Sequence, residues 1–315
     1  MKKISIIIPT LDRQNDLIKS LQAILRNNII PDEIIIVEQG DIIKTNKFLE
    51  DFRNKLNINI IYSEIKSVAI ARNKWFEQVS WDYIFLIDDD LEISDDYIEI
   101  WYNYLYNNDK VYAIAWKDKN IINTKKSFIK IFIRFLLFQD TLKKKNIVLS
   151  SGQNTVNMDY KDNTFVEWLS GCMVIKKEVL NYFRFNSNFV RWSFWEDVYF
   201  SYQIYKKFGK GSLVFLPNMI YNHKSSEINR IWDMQKIRMM FIYRYIFWKN
   251  EVYDNKLLNI ILYIYSEIWR AILHSKIYKN RWKSYKEIIK TQIYILKNYK
   301  KIDSWEIDYN KYILD

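Results

Sequence analysis

The sequence predicts an α/β fold built on a mostly parallel sheet, and three observations carry that prediction. Ser5-Ile6-Ile7-Ile8-Pro9-Thr10, Glu33-Ile34-Ile35-Ile36-Val37 and Tyr83-Ile84-Phe85-Leu86-Ile87 are apolar runs of strand length without polar alternation, the mark of strands covered on both faces. Helical spacing separates them, first as Leu17, Leu21, Ile24 and Leu25 behind a plausible N-cap at Asp12. Each run ends in polar residues: Pro9-Thr10, Glu38-Gln39-Gly40-Asp41 and Asp88-Asp89-Asp90. Doubly wound sheets bind ligands at the carboxyl ends of their strands, so these ends are where a site is expected.

The remaining elements follow in order. Residues 58–62 read as a strand, 68–79 as a helix, 95–106 as a helix and 111–116 as a strand. From 118 to 164 the alternation breaks. Inside that insertion Phe128, Ile129, Ile131, Phe132, Phe135 and Leu136 form a broad apolar face, and Lys126, Lys130 and Arg134 recur along one stripe. A lid, a membrane-contacting helix and simple packing all fit this pattern. Regular structure returns at 165–175, then in a helix opened by Trp195-Glu196-Asp197, then in short strands at 212–216 and 219–221 that lead into Asn222 and His223.

Hydrophobic residues make up 49% of the 315 positions and aromatics 17%, enough for a sizeable core, while 5 Gly and 3 Pro leave little room for low-complexity linkers. The single cysteine, Cys172, excludes an intramolecular disulfide and fits a reducing compartment; its apolar neighbours place it in a core. The start at Met1-Lys2-Lys3 has no secretory pattern, so a cytoplasmic protein is expected. The most apolar stretch, 257–273, contains Glu267 and Arg270 and is too interrupted to span a bilayer.

The net charge of +11 is concentrated at one end, because residues 229–315 carry 17 basic against 9 acidic side chains. Trp232, Phe241, Tyr243, Tyr245, Phe247, Trp248, Trp269, Trp282 and Tyr285 are interleaved there. That mixture suits helices lying on an anionic membrane surface, and equally a helical appendage whose aromatics pack inward. No zinc-finger spacing, RNP-like run or helix-turn-helix signature accompanies the charge, so nucleic acid is not expected as a partner.

Three consecutive carboxylates at a strand end repel one another, and a bound cation turns that arrangement from unfavourable to favourable. Glu196 and Asp197 are suited to a first helical turn by the helix dipole alone. His223 is one of only two histidines, and a neutral imidazole can ligate a metal. His274, in the tail, has no comparable neighbours in sequence.

Taken in order, Pro9-Thr10, Glu38-Gln39-Gly40-Asp41, Ala69-Ile70-Ala71-Arg72-Asn73, Asp88-Asp89-Asp90, Leu169-Ser170-Gly171-Cys172, Glu196-Asp197 and His223 resemble the family 2 glycosyltransferases over residues 3–225. The resemblance implies the GT-A nucleotide-diphospho-sugar transferase fold, a mostly parallel Rossmann-like sheet flanked by helices, here with a C-terminal helical extension. It implies a domain over 1–228, including the 118–164 insertion, and a basic aromatic extension over 229–315. It further implies a divalent metal, Mg or Mn, held by Asp88, Asp90 and His223. Pro9, Thr10, Glu38, Gln39, Arg72, Asp88 and Asp89 would bind the nucleotide-sugar donor, although Arg72 could instead be a structural partner of Asp88. Asp197 would be the general base with Glu196 beside it, and Ser170, Gly171, Trp168 and Trp195 would meet donor sugar and acceptor.

The activity implied is inverting transfer of a sugar to a glycan or lipid-linked acceptor. The setting implied is surface polysaccharide synthesis, peripheral at the inner face of the cell membrane. Two other classes are weighed against it. A sugar nucleotidyltransferase would carry a Gly-rich loop after the first strand, where Pro9-Thr10-Leu11-Asp12-Arg13 has none. A non-catalytic sugar-binding relative would have no need of Asp88, Asp90 and Asp197.

Overall fold

The structure, a computed structural model, describes residues 2–76, 81–119, 128–142, 145–157, 159–223, 233–275, 278 and 280–315. The chain forms two compact units. The first comprises Met1–Asn123, Met158–Arg191 and Glu196–Asn229; the second comprises Thr124–Asn157, Trp192–Trp195 and Arg230–Asp315. Most of the segment expected as an insertion in the first domain thus clusters with the C-terminal residues.

In chain order the elements are β1 (Ile4–Thr10), α1 (Gln14–Leu25), β2 (Glu33–Glu38), α2 (Ile42–Phe48), α3 (Glu50–Arg53) and β3 (Ile58–Tyr62). Next come α4 (Val68–Phe76), β4 (Tyr83–Leu86), β5 (Leu91–Ile93), α5 (Tyr97–Tyr106) and β6 (Ala113–Asp118). After α6 (Phe128–Leu136), the chain continues through β7 (Thr164–Phe165), β8 (Met173–Lys176), α7 (Glu196–Phe208) and β9 (Leu213–His223). The last helices are α8 (Asp233–Phe247), α9 (Leu257–Ser275), α10 (Arg281–Asp303) and α11 (Tyr309–Leu314).

The described strands join one nine-stranded sheet in the order β3-β2-β1-β4-β8-β6-β9-β5, with β7 on β9. All seven residues of β1 and all six of β2 are buried, as expected of parallel strands covered on both faces. Ile4, Ile6 and Ile8 cluster with Leu17, Leu21 and Ile24 of α1 and with Phe85 and Trp101. Burying each of these side chains fully contributes about 1.5–3 kcal/mol, so register is tightly specified.

That register assembles the site. Thr10 pairs with Glu38 and Ile7 with Leu86, so β1, β2 and β4 end at one edge. β8 runs antiparallel to β4, with Leu86 opposite Met173, which brings Gly171 and Cys172 to the same edge. β5 runs antiparallel to β9 with Leu91 opposite His223, and Asp118 pairs with Tyr221.

The structure corrects the sequence reading at β9 and at β5. The strands expected at 212–216 and 219–221 are one strand, β9, with an irregularity beside Pro217, a residue that cannot donate to a ladder. β5, three residues long, has no counterpart in the prediction. The helix expected over 68–79 is seen to Phe76, and its last residues lie outside the described residues.

In the second unit α8 is buried through Ile237, Met239, Phe241, Ile242, Tyr243 and Phe247. Arg238 Nε donates to Glu287 of α10 at 2.5 Å, and Tyr243 Oη donates to Asn310 of α11 at 2.9 Å. The α8 aromatics therefore pack inward, whereas Trp282 of α10 is exposed; Trp232 and Lys126 lie outside the described residues. Among the described residues no helix is long and apolar enough to cross a membrane.

Candidate active site

Asp88, Asp89 and Asp90 follow β4 and divide between two tasks. Oxygens of Asp88 and Asp90 and a ring nitrogen of His223 lie within 4.8 Å of one another. His223 Nε2 is 3.0 Å from Asp90 Oδ1, and its Nδ1 is 3.7 Å from Asp118 Oδ2. The hydrogen bond that the imidazole donates to Asp90 raises its pKa, and burial opposes the rise. Two carboxylates and one imidazole converging from separate strands form a donor set that fits a hard divalent cation such as Mg or Mn.

Asp89 turns the other way. It is buried, accepts from Thr10 Oγ1 at 2.6 Å and pairs with Arg13 Nη1 at 3.1 Å. Burial pushes its carboxyl up to about 7 against the pull of Arg13. Ser20 holds the turn that follows: its buried hydroxyl donates to the carbonyls of Asp89 and Leu91, both at 2.8 Å, and accepts from Leu91 N at 3.1 Å. Thr10 and Asp89 thus fasten the strand ends to each other.

Arg72, on α4, is fully buried and links two halves of the edge. Its Nη1 donates to Glu196 Oε1 at 2.5 Å and its Nη2 to Asp88 Oδ1 at 3.4 Å. Asp88 keeps 38% of its side chain exposed and is open to a ligand. Glu196 and Asp197 begin α7, where the helix dipole favours carboxylates. Burial pushes Glu196 up to about 8, against the Arg72 guanidinium; burial also raises Asp197, against its hydrogen bond from Val198 N. Gly171 forms the floor between them: a β-carbon there would meet Arg72 Nη2 at 3.8 Å and both Asp197 Oδ2 and Glu196 Oε1 at 4.0 Å.

At the β2 end, Glu38 is fully buried and turned inward. It accepts from Gly40 N at 2.7 Å, Asp12 N at 3.2 Å and Thr45 Oγ1 at 2.6 Å, so its carboxylate shapes the turn. Gly40 leaves room for the Asp12 carboxylate, which a β-carbon would meet at 2.3 Å and push aside. Gln39 accepts from Ser67 N at 2.6 Å and ties this turn to the start of α4. Pro9 is buried within β1.

Ser170 is half-buried beside Gly171, Trp168 is buried in the first unit, and Cys172 is buried with its thiol 3.8 Å from Asp88. Trp195 belongs to the second unit, where its ring stacks on Phe247 at 5.5 Å and lies 5.8 Å from Arg270. The structure therefore brings Thr10, Arg72, Asp88, Asp90, Gly171, Glu196, Asp197 and His223 to one edge of the first unit, while Trp195 clusters with the second unit. Sequence reading missed Arg13, Ser20 and Asp118. Arg13 carried a usable signal, a cation just past the first strand of a sheet with an acidic edge; Ser20 and Asp118 carried none.

The sheet edge gathers a candidate cation site, a buried arginine and a helix-borne carboxylate pair, a set that suits a nucleotide-sugar-dependent transferase. A family model described as glycosyl transferase family 2 matches residues 5–183, and the chain belongs to that family. Glycosyltransferase GlyA of Streptococcus pneumoniae serotype 4 is 28% identical over 102 residues, which are 32% of this chain and 14% of that protein, so the match spans a small part of the relative. Among solved structures, S. aureus TarS 1-349 in complex with UDP-GlcNAc is similar with a TM-score of 0.55 and 14% identity, covering 95% of this chain and 92% of that one. GalNAc-T7 with UDP, GalNAc and Mn2+ is similar with a TM-score of 0.54 and 11% identity, covering 85% of this chain and 55% of that one. At these identities the likeness is one of fold.

Proposed function

We propose that the protein is a metal-dependent, inverting glycosyltransferase that moves a sugar from a nucleotide-sugar to a glycan or lipid-linked acceptor in surface polysaccharide synthesis, beside an anionic membrane surface. The observation that carries the reading is the pairing, on one sheet edge, of the Asp88, Asp90 and His223 donor set with Asp197 across the Gly171 floor. A divalent cation bound there would neutralise the donor diphosphate as it departs.

The chain's own groups account for the rest. Arg72, held by Glu196, presents a fixed positive charge beside Asp88 and supports the same developing negative charge. Asp197 accepts the proton of the acceptor hydroxyl as that oxygen attacks the anomeric carbon. The new bond to the acceptor oxygen forms while the bond to the diphosphate oxygen breaks, and the electron pair leaves on the diphosphate. Burial raises the Asp197 pKa toward the working range of a general base. Attack from the face opposite the leaving group inverts the anomeric centre. Pro9, Thr10, Gln39 and Asp88 would border the nucleotide, with Glu38 and Asp89 shaping that pocket from behind; Ser170, Gly171, Trp168 and Trp195 are assigned to the sugar and acceptor.

TarS was seen with UDP-GlcNAc and GalNAc-T7 with UDP and Mn2+, so uridine diphospho-sugars head the panel of donors to test. Purified protein should hydrolyse or transfer from at least one donor with Mn or Mg, and chelator should stop it. Turnover that chelator leaves intact would remove the metal from the reading, and no turnover of any donor with either metal would remove the transferase.

A further inference from the structure

Helix α9 is inside out. Over 19 residues its buried positions include Ser266, Glu267, Arg270 and Ser275, while Leu257, Leu258 and Ile261 are 70%, 60% and 52% exposed. Ile264, Tyr265 and Ile268 extend the same exposed face, on which no charged residue lies. A helix on a core in water has the reverse arrangement.

The buried side is a constructed polar layer. Glu267 pairs with the fully buried Arg244 of α8, and Arg270 Nη1 donates to Gln153 Oε1. Gln139, just past α6, donates to the Ser266 hydroxyl at 2.7 Å. These bonds fix the rotation of α9, so the apolar face is held outward by the fold.

The neighbouring helices continue that face. Beside it, the ring of Phe138 meets Tyr265 edge-on at 6.2 Å, and α6 exposes Ile129, Phe132, Ile133 and Leu136. On α10, Gln292 donates to the Glu267 carbonyl at 3.1 Å, and Trp282, Ile293 and Leu296 are exposed. Behind them α10 exposes Lys286, Lys290, Lys297 and Lys300, and the one acidic side chain in its first twenty residues, Glu287, is buried against Arg238.

We infer that the α6–α9–α10 face of the second unit is a membrane-docking surface, its isoleucines and leucines entering the acyl boundary of an anionic lipid leaflet and the α10 lysines meeting the headgroups. Monomers in water rarely leave apolar patches of this extent open, and a basic row beside one matches an anionic leaflet. A second copy of the chain fits less well, since a symmetric contact on this face brings like-charged α10 rows toward each other. The inference rests on the reading that the enzyme works beside a membrane, and it names the surface. It also reassigns the contact: α8, with its buried Arg244 and paired Arg238, is not the part that touches lipid.

Full-length protein is floated with vesicles of phosphatidylcholine alone and of phosphatidylcholine with phosphatidylglycerol. Wild type should float with the anionic vesicles and lose binding as salt rises. Ile261→Asp with Ile268→Asp should abolish flotation, and Lys290→Ala with Lys297→Ala should weaken it about fivefold per charge. Near-ultraviolet dichroism checks the fold of each variant, and Ile261→Ser with Ile268→Ser replaces the aspartates if they unfold it. Binding that survives the isoleucine variants overturns the surface and leaves the membrane reading standing. Wild type that floats with neither vesicle overturns both, and if it forms a concentration-dependent dimer that Ile261→Ser with Ile268→Ser dissolves, the face belongs to a second copy.

Discussion

Replacing Arg72 with methionine tests how the first unit holds its carboxylates together. The side chain keeps its length and volume but gives up the charge, the bond to Glu196 at 2.5 Å and the contact with Asp88 at 3.4 Å. Glu196 is largely protonated at pH 7, so the loss there is that of a buried hydrogen bond to a charged group, about 1.5–3 kcal/mol. The pH dependence is the sharper signature. In the wild type Glu196 is raised from 4.5 to about 8, so stability falls as pH climbs through that interval and levels off above it. Without Arg72 nothing opposes burial, the carboxyl stays protonated to higher pH, and stability keeps falling. The penalty should therefore be larger at pH 9 than at pH 7. Urea unfolding followed by tryptophan fluorescence in chelator, at both pH values, measures it. The double variant Arg72→Met with Glu196→Gln has no carboxyl to titrate and should show a flat penalty. A single-variant penalty that is flat with pH, or below about 1 kcal/mol, would refute the strut assigned to Arg72.

Three further outcomes are expected. Asp197→Asn should lower kcat by roughly two to four orders of magnitude with donor affinity nearly unchanged, as loss of a general base does; a loss of donor binding with turnover retained would move Asp197 to the nucleotide. Asp90→Asn should weaken Mn binding measured by calorimetry while leaving the urea midpoint near wild type, because Asp90 stands in a cluster of like charges. Ser20→Ala should cost about 2 kcal/mol in urea unfolding, since it leaves the buried Leu91 N–H without its hydroxyl acceptor; an unchanged midpoint would mean that the turn after Asp89 holds without it.

The strands were legible because β1, β2 and β4 are unbroken apolar runs, a pattern that survives without tertiary information. Asp88 and Asp90 were legible for the opposite reason, being charges where a core strand ends. What could not be read were side-chain partnerships across long separations. The bonds of Asp89 to Thr10 and Arg13 join positions 79 and 76 residues apart, and nothing local marks them. Glu38 stood at the right strand end, yet only the fold shows its carboxylate turned onto Gly40 and Thr45. The tail illustrates a different limit. Periodicity marks α9 as amphipathic but not which side faces out, and here the charged residues took the inside.

The irregularity in β9 places His223 beside Asp90. Trp116 pairs with Leu216, and the next residue, Lys117, pairs with Ile220, so Pro217, Asn218 and Met219 are slack taken up by the bulge. In an unbroken ladder those three residues would carry His223 roughly 10 Å beyond the edge where Asp90 waits. The position of His223 is thus set by a length adjustment inside the sheet, as a vernier sets a gauge. Drawing the 217–219 stretch into regular pairing would shift His223 without changing Asp88 or Asp90.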